Sequence, residues 1–270
     1  MVVFPHCKIN LGLRVLRKRA DGYHDLDTCF YPVAWTDVLE IIEWPTLTFT
    51  TAGLPIPGSA ESNLCLRAYH LLAKAHRLPN VHIHLHKILP LGAGLGGGSA
   101  DGAFVLKALN EKFELGLSVE QLAGYAAQLG SDCAFFVHSV PMMGRERGDM
   151  LSLVQVSLKG FFVVLVKPPI HVSTAEAYAG IQPAEPTQPL EQLLTQRPLA
   201  QWRDAVLNDF EVPIFKKYPA INAIKQQLYQ HGAVYASMSG SGSAVFGIFD
   251  HEASLQVHFP GCDYWGGFLA

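Results

Sequence analysis

Apolar and polar residues alternate with period two over residues 7–16: Cys7, Ile9, Leu11, Leu13 and Val15 fall on one side, and Lys8, Asn10, Gly12 and Arg14 on the other. Successive side chains of a strand point to opposite faces, so the pattern predicts a half-buried strand. The charged segment 17–24 that follows contains Asp21-Gly22, a hairpin signal. Returning strands are predicted over 26–33 and 38–43, another over 47–51, and a loop over 53–57. The period changes to that of a helix over 63–76. Residues 81–87 alternate strictly, Val81, Ile83 and Leu85 against His82, His84 and His86. A strand with one polar face suits an antiparallel neighbourhood better than a buried parallel one. A further helix is predicted over 118–129, where Ser118 precedes Gln121 by three positions, as in a capping box.

In the second half, strands are predicted over 151–158 and 161–167, and a helix from 173 to 178. The proline-rich stretch 181–189 reads as a surface excursion. Helices around 190–207 and 219–231 are separated by the region of Pro213, and 235–249 reads as strand, glycine turn and strand. Strands first, then mixed helices and strands, predict an α+β protein of two domains, 1–150 and 151–270.

Composition narrows the function classes. The 270 residues, 49% hydrophobic and 16% charged, suffice for one large core or two moderate ones. A net charge of −3 and a pI of about 6.4 argue against a nonspecific nucleic-acid surface. The five cysteines (7, 29, 65, 133 and 262) are odd in number and scattered, and read as reduced core thiols of a cytoplasmic protein. No apolar run approaches the ~20 residues that span a bilayer, so no membrane is expected. Met1 is followed almost directly by motif sequence, so no leader peptide is expected either.

The chemistry is concentrated in residues 90–100: Pro90, Leu91, Gly92, Ala93, Gly94, Leu95, Gly96, Gly97, Gly98, Ser99 and Ala100. Glycine lets backbone N–H groups turn toward a common point, and a helix N-terminus adds unpaired donors and the positive end of a dipole. Here the glycines open an apolar helical stretch, and the combination predicts a cradle for the polyphosphate of a nucleoside triphosphate. A P-loop is excluded, because Ser99 follows Gly98 with no lysine between them. Gly92, Gly94 and Gly97 match G-x-G-x-x-G, with Glu111 downstream, but the half-polar strand in front and Pro90 argue against a dinucleotide fold.

Outside the loop, several residues admit two readings. Lys8 shares a strand face with Asn10 beside a small, unblocked Gly12; it is either a solvated lysine or part of a site. Asp132 either caps a following helical turn or stands at a cleft as a general base, and spacing alone leaves both open. His82, His84 and His86 fit an exposed sheet face better than a metal site, lacking carboxylate or cysteine neighbours. Tyr23-His24 at a hairpin end offers an aromatic plane and an imidazole to a planar ligand. The turn at 240–243 is a second close-approach glycine segment. Arg145 and Arg147 are candidates for steering phosphate.

The loop PLGAGLGGGS resembles the second motif of the galacto-, homoserine-, mevalonate- and phosphomevalonate-kinase (GHMP) superfamily. The ordered segments KINLGLRV and RADGYHDL in the N-terminal part, GSDCAFF at 130–136 and SGSGSAVF at 239–246 are similar to the motifs of one branch. That branch phosphorylates a cytidine-diphosphate-linked methylerythritol in the non-mevalonate route to isoprenoids. The resemblance implies a two-domain GHMP-kinase fold: an N-terminal ATP-binding domain, like the second domain of a small-subunit ribosomal protein, and a C-terminal ferredoxin-like α/β sandwich, with the reactants meeting in the cleft between them. It implies transfer of the ATP γ-phosphoryl group, assisted by Mg²⁺, with Asp132 as base and Lys8 as its partner. Residues 90–100, Asn63 and Lys87 would serve ATP. Asn10, Tyr23, His24, Thr174 and Tyr178 would serve the acceptor, the two tyrosines enclosing the cytosine. A monomer or weak homodimer is expected. The alternatives are another GHMP acceptor, such as mevalonate or homoserine, and a non-catalytic nucleotide-binding module. Ala100, Cys133 and Ser239 stand where the branch more often has serine, valine or isoleucine, and threonine; none of these removes a reacting group.

Overall fold

In the computed structural model, which describes residues 1–269, the chain begins with strands β1 (Val2–Val3), β2 (His6–Lys18), β3 (His24–Thr36), β4 (Val38–Glu43) and β5 (Thr48–Gly53). Helix α1 (Leu64–Ala75) leads to β6 (Val81–Lys87), and three helices follow: α2 (Gly97–Lys112), α3 (Val119–Leu129) and α4 (Cys133–His138). Next come β7 (Met142–Glu146), β8 (Met150–Leu153), β9 (Phe162–Lys167), α5 (Thr174–Ala179), α6 (Leu190–Gln196), α7 (Glu211–Lys217) and α8 (Pro219–Gln230). Strands β10 (Tyr235–Met238), β11 (Val245–Phe249) and β12 (Asp263–Phe268) complete the chain. It divides into two units that are not collinear with it: 1–7, 35–91 and 96–140 form the first, and 8–34, 92–95 and 141–270 the second.

The first unit is built on a sheet of order β1-β4-β6-β5. The alternation of 81–87 places Val81, Ile83 and Leu85 in the core at 0% exposure. Strand β6 is antiparallel to β4, as expected, but parallel to β5 on its other side. On the open face His82 and His84 hydrogen-bond to Thr48 and Thr50, an ordinary polar sheet surface. No cluster of His, Cys, Asp and Glu able to hold a metal ion occurs among the described residues. Helix α1 starts where Asn63 Oδ1 accepts the Cys65 N–H at 2.9 Å. Helix α3 carries the predicted capping box, Ser118 and Gln121 satisfying each other's backbone donors.

The second unit contains the sheets β2-β3-β7-β8 and β10-β11-β9-β12. Strand β9 is central and buried on both faces, with Val163, Val164, Leu165 and Val166 at 0% exposure. Its core continues through Leu13, Val15, Phe210, Ile221, Leu228 and Phe249. Strand β2 is not half-exposed as its alternation suggests: Lys8 is 3% and Asn10 1% exposed. Gly12 is not unblocked either. A methyl group there would lie 2.6 Å from a Leu190 side-chain carbon and 3.1 Å from Val206.

Several predicted boundaries shift for local reasons. Strand β8 ends at Leu153, and the buried Leu158 beyond it donates its N–H to the Tyr31 hydroxyl instead of to a strand. Helix α6 stops at Gln196 because Arg197, preceding Pro198, is pushed into extended backbone. Helix α7 forms through Pro213, which sits in the first turn where its missing N–H is not needed. Strands β7 and β12 lie outside every predicted element. Both contain glycines that mute a strand signal; Gly144 packs beneath the Phe30 ring, and Gly266 and Gly267 pair with Val164 and Val163.

All five cysteines are free, four of them buried and Cys262 partly exposed. No helix among the described residues is long and apolar enough to cross a membrane. Ser118→Ala should remove one half of the capping box, costing about 1 kcal/mol and lowering the thermal midpoint by roughly 2–4 °C in a calorimetric scan.

Candidate active site

The second unit contributes a buried polar network centred on the backbone of Gly94. Lys8 Nζ donates to Asn10 Oδ1 at 2.6 Å and to the Gly94 carbonyl at 2.9 Å. Ser239 Oγ donates to the same carbonyl at 2.9 Å. Asn10 Nδ2 continues to Thr28 Oγ1, which donates to the Gly12 carbonyl at 2.7 Å. Lys8 and Asn10 fall together because they are two residues apart on one strand. Burial forces their polar groups to find partners within the protein. The solvated-lysine reading of Lys8 is thereby excluded.

The same unit stitches segment 92–95 to its surroundings. The Lys8 N–H donates to the Leu95 carbonyl, and the Ala244 N–H to the Ala93 carbonyl. A side chain at Gly94 would lie 2.0 Å from the Ser239 carbonyl oxygen, and Gly94 has φ +76°. Asn208 secures the 240–243 turn from below, its Nδ2 donating to the Met238 and Gly240 carbonyls. Thr28 and the Asn208 Nδ2 carry no sequence signal, because their partners are 16 to 32 residues away.

The hairpin end is charged and laced by ion pairs. Asp25 accepts from Arg17 and Arg19, which hold its carboxyl below the usual carboxylate range. Tyr23 is 58% exposed, with the Arg147 guanidinium 5.3 Å from its ring centroid. Arg147 is also paired with Asp149, and Arg145 with Glu191 at 2.6 Å, so neither is an uncommitted phosphate-steering cation. His24 stacks on Tyr178 with centroids 4.7 Å apart and planes 19° apart. Phe210 meets Tyr178 edge-on. Thr174 is the first residue of α5, next to the capping Ser173.

In the first unit, Gly96 adopts φ +72° and opens α2 at Gly97. Ala100 N–H makes the first helical bond, to the Gly96 carbonyl. The amides of Gly97, Gly98 and Ser99 precede it, and the space over Gly98 is open for 4 Å where a side chain would be. Ser99 also hydrogen-bonds the Cys133 thiol, which burial pushes up to about 11. Asp132 stands at the N-cap position of α4 and makes no side-chain cap hydrogen bond there. Asn63, besides capping α1, borders a cavity of about 160 Å³ with Phe49, Thr51, Ile56 and Pro57. Lys87 is only 1% exposed, its ammonium held between Asp37 and Asp101. Burial pushes the Asp101 carboxyl up to about 7 against the opposing pull of Lys87.

Known proteins resemble this chain in sequence and fold. The description "GHMP kinases N terminal domain" matches residues 63–139, and "GHMP kinases C terminal" matches 190–258. A 4-diphosphocytidyl-2-C-methyl-D-erythritol kinase of Cytophaga hutchinsonii is 51% identical over 251 residues, 93% of each chain. One of Bacteroides fragilis is 49% identical over 259 residues, 94% of each chain. The crystal structure of a 4-(cytidine 5'-diphospho)-2C-methyl-D-erythritol kinase superposes with a TM-score of 0.84 at 29% identity, covering 99% of this chain and 98% of that one. By sequence and fold, the chain belongs to the GHMP kinase family, in the branch whose members are named 4-diphosphocytidyl-2-C-methyl-D-erythritol kinase.

Proposed function

We propose that this kinase transfers the γ-phosphoryl group of ATP to the 2-hydroxyl of 4-diphosphocytidyl-2-C-methyl-D-erythritol. The observation that carries the reading is the open start of α2, with three successive amides ahead of the first helical bond and no side chain over Gly98. Such an end is suited to the oxygens of a polyphosphate. The hydroxyl oxygen attacks the γ-phosphorus, the bond to the bridging oxygen breaks, and ADP leaves. Asp132 takes the hydroxyl proton, and Lys8 offsets negative charge on the attacking oxygen. Phosphoryl transfer asks chiefly for positioning and charge neutralisation, which fits a lysine already immobilised by Asn10 and Gly94.

Tyr23, His24 and Tyr178 form the cytosine-recognising group, supported by their clustering on one unit. The exposed Tyr23 ring offers a stacking surface, and Asn10 and Thr174 complete the acceptor contacts. Asn63 and the neighbouring cavity serve the adenosine. Mg²⁺ bound with the phosphates of ATP would offset their negative charge, and no protein step is assigned to it. Five free cysteines fit a reducing compartment, the cytoplasm.

An ADP-release assay offering the cytidyl acceptor, mevalonate and homoserine in parallel tests this reading. Turnover of the first alone is expected, and preference for either of the others would refute it. Asp132→Ala should lower turnover by about 10²–10⁴ while ATP affinity, measured by titration calorimetry, stays near wild type; near-normal turnover would remove the base from that position. Tyr23→Ala should weaken acceptor binding by roughly 1–3 kcal/mol through lost stacking, with the ATP KM unchanged. An unaltered acceptor Kd would contradict the stacking role.

A further inference from the structure

The first unit holds a buried charge cluster beneath the start of α2. Lys87 Nζ, at the end of β6, donates to Asp37 Oδ2 at 2.6 Å and to Asp101 Oδ2 at 2.7 Å. None of the three side chains is more than 4% exposed. Asp37 also accepts, through Oδ1, the N–H groups of Ile88 and Leu89, the first two residues after β6. Asp101 lies in the second turn of α2, and its Oδ1 is buried without a hydrogen-bond donor. A Cβ on Gly97, the first residue of α2, would lie 3.1 Å from Lys87 Nζ and 3.2 Å from Leu89 Cβ.

A lysine meant to attract phosphate would be left with its charge uncompensated. Here two carboxylates face it, so the cluster adds no positive potential to the helix end. What remains is geometry: one ammonium linked through Asp37 to the segment that enters the glycine loop and through Asp101 to the helix that leaves it. We propose that Lys87, Asp37 and Asp101 are positioning residues of the phosphate loop, and that Lys87 acts on ATP through the loop without touching the nucleotide. The proposal rests on residues 90–100 being the ATP loop. It replaces a direct adenosine contact by Lys87 with a buried tie.

Steady-state kinetics of Asp101→Ala and Lys87→Met, with each substrate varied in turn, test it. The ATP KM should rise on the order of tenfold, the scale of losing a group that orients a binding element, and the acceptor KM should not change. Asp101→Asn keeps an oxygen for Lys87 Nζ and should return the ATP KM to near wild type. A merely structural role would reduce the yield of active enzyme and leave both KM values alone, and that result overturns the proposal. So would Asp101→Asn behaving like Asp101→Ala, or an ATP-analogue complex in which Lys87 Nζ leaves the carboxylates for the nucleotide. If Lys87→Met does not fold, the two Asp101 variants decide the matter. Wild-type enzyme lacking saturable ATP dependence would remove the ATP reading itself, whatever the variants do.

Discussion

One short distance governs the buried polar network of the second unit: the Ser239 carbonyl oxygen stands 2.0 Å from where a Cβ on Gly94 would have to be. Only glycine lets the two backbones come this close, and its φ of +76° asks for glycine independently. Because the backbones meet, the Gly94 carbonyl is within reach of both Lys8 and Ser239. The lysine ammonium is therefore located by main-chain atoms, which have little freedom, in addition to another side chain. Its rotamer entropy is lost on folding.

The two units handle buried polarity differently. In the second unit the Lys8 ammonium donates to Asn10 and to the Gly94 carbonyl. The first surrounds Lys87 with two carboxylates. In both units a buried lysine fastens segments distant along the chain, one through a main-chain carbonyl and the other through carboxylates.

Much of the fold was legible where local physics controls it. The helix over 63–76 and the capping box at Ser118 depend on neighbours within four residues, and both formed as expected. Strands β7 and β12 were hidden because their glycines make sense only against Phe30 and β9. The burial of Lys8 could not be foreseen from alternation, which reports two faces without saying whether both are covered. The glycine loop was visible from composition alone. Thr28, Asp37 and Asn208 were not, because each is defined by partners far along the chain. Arg147 illustrates the reverse error: a cation suspected of serving phosphate is committed to an aspartate and an aromatic ring.

The distribution of thiols has a practical consequence. Cys7, Cys29, Cys65 and Cys133 are fully enclosed, while Cys262, next to β12, is the partly exposed one. Burial holds the thiols of Cys29, Cys65 and Cys133 high, which keeps them in the unreactive protonated form. A maleimide dye or spin label applied to the folded chain will therefore attach at position 262. The molecule can be fitted with a spectroscopic reporter without first being stripped of its cysteines.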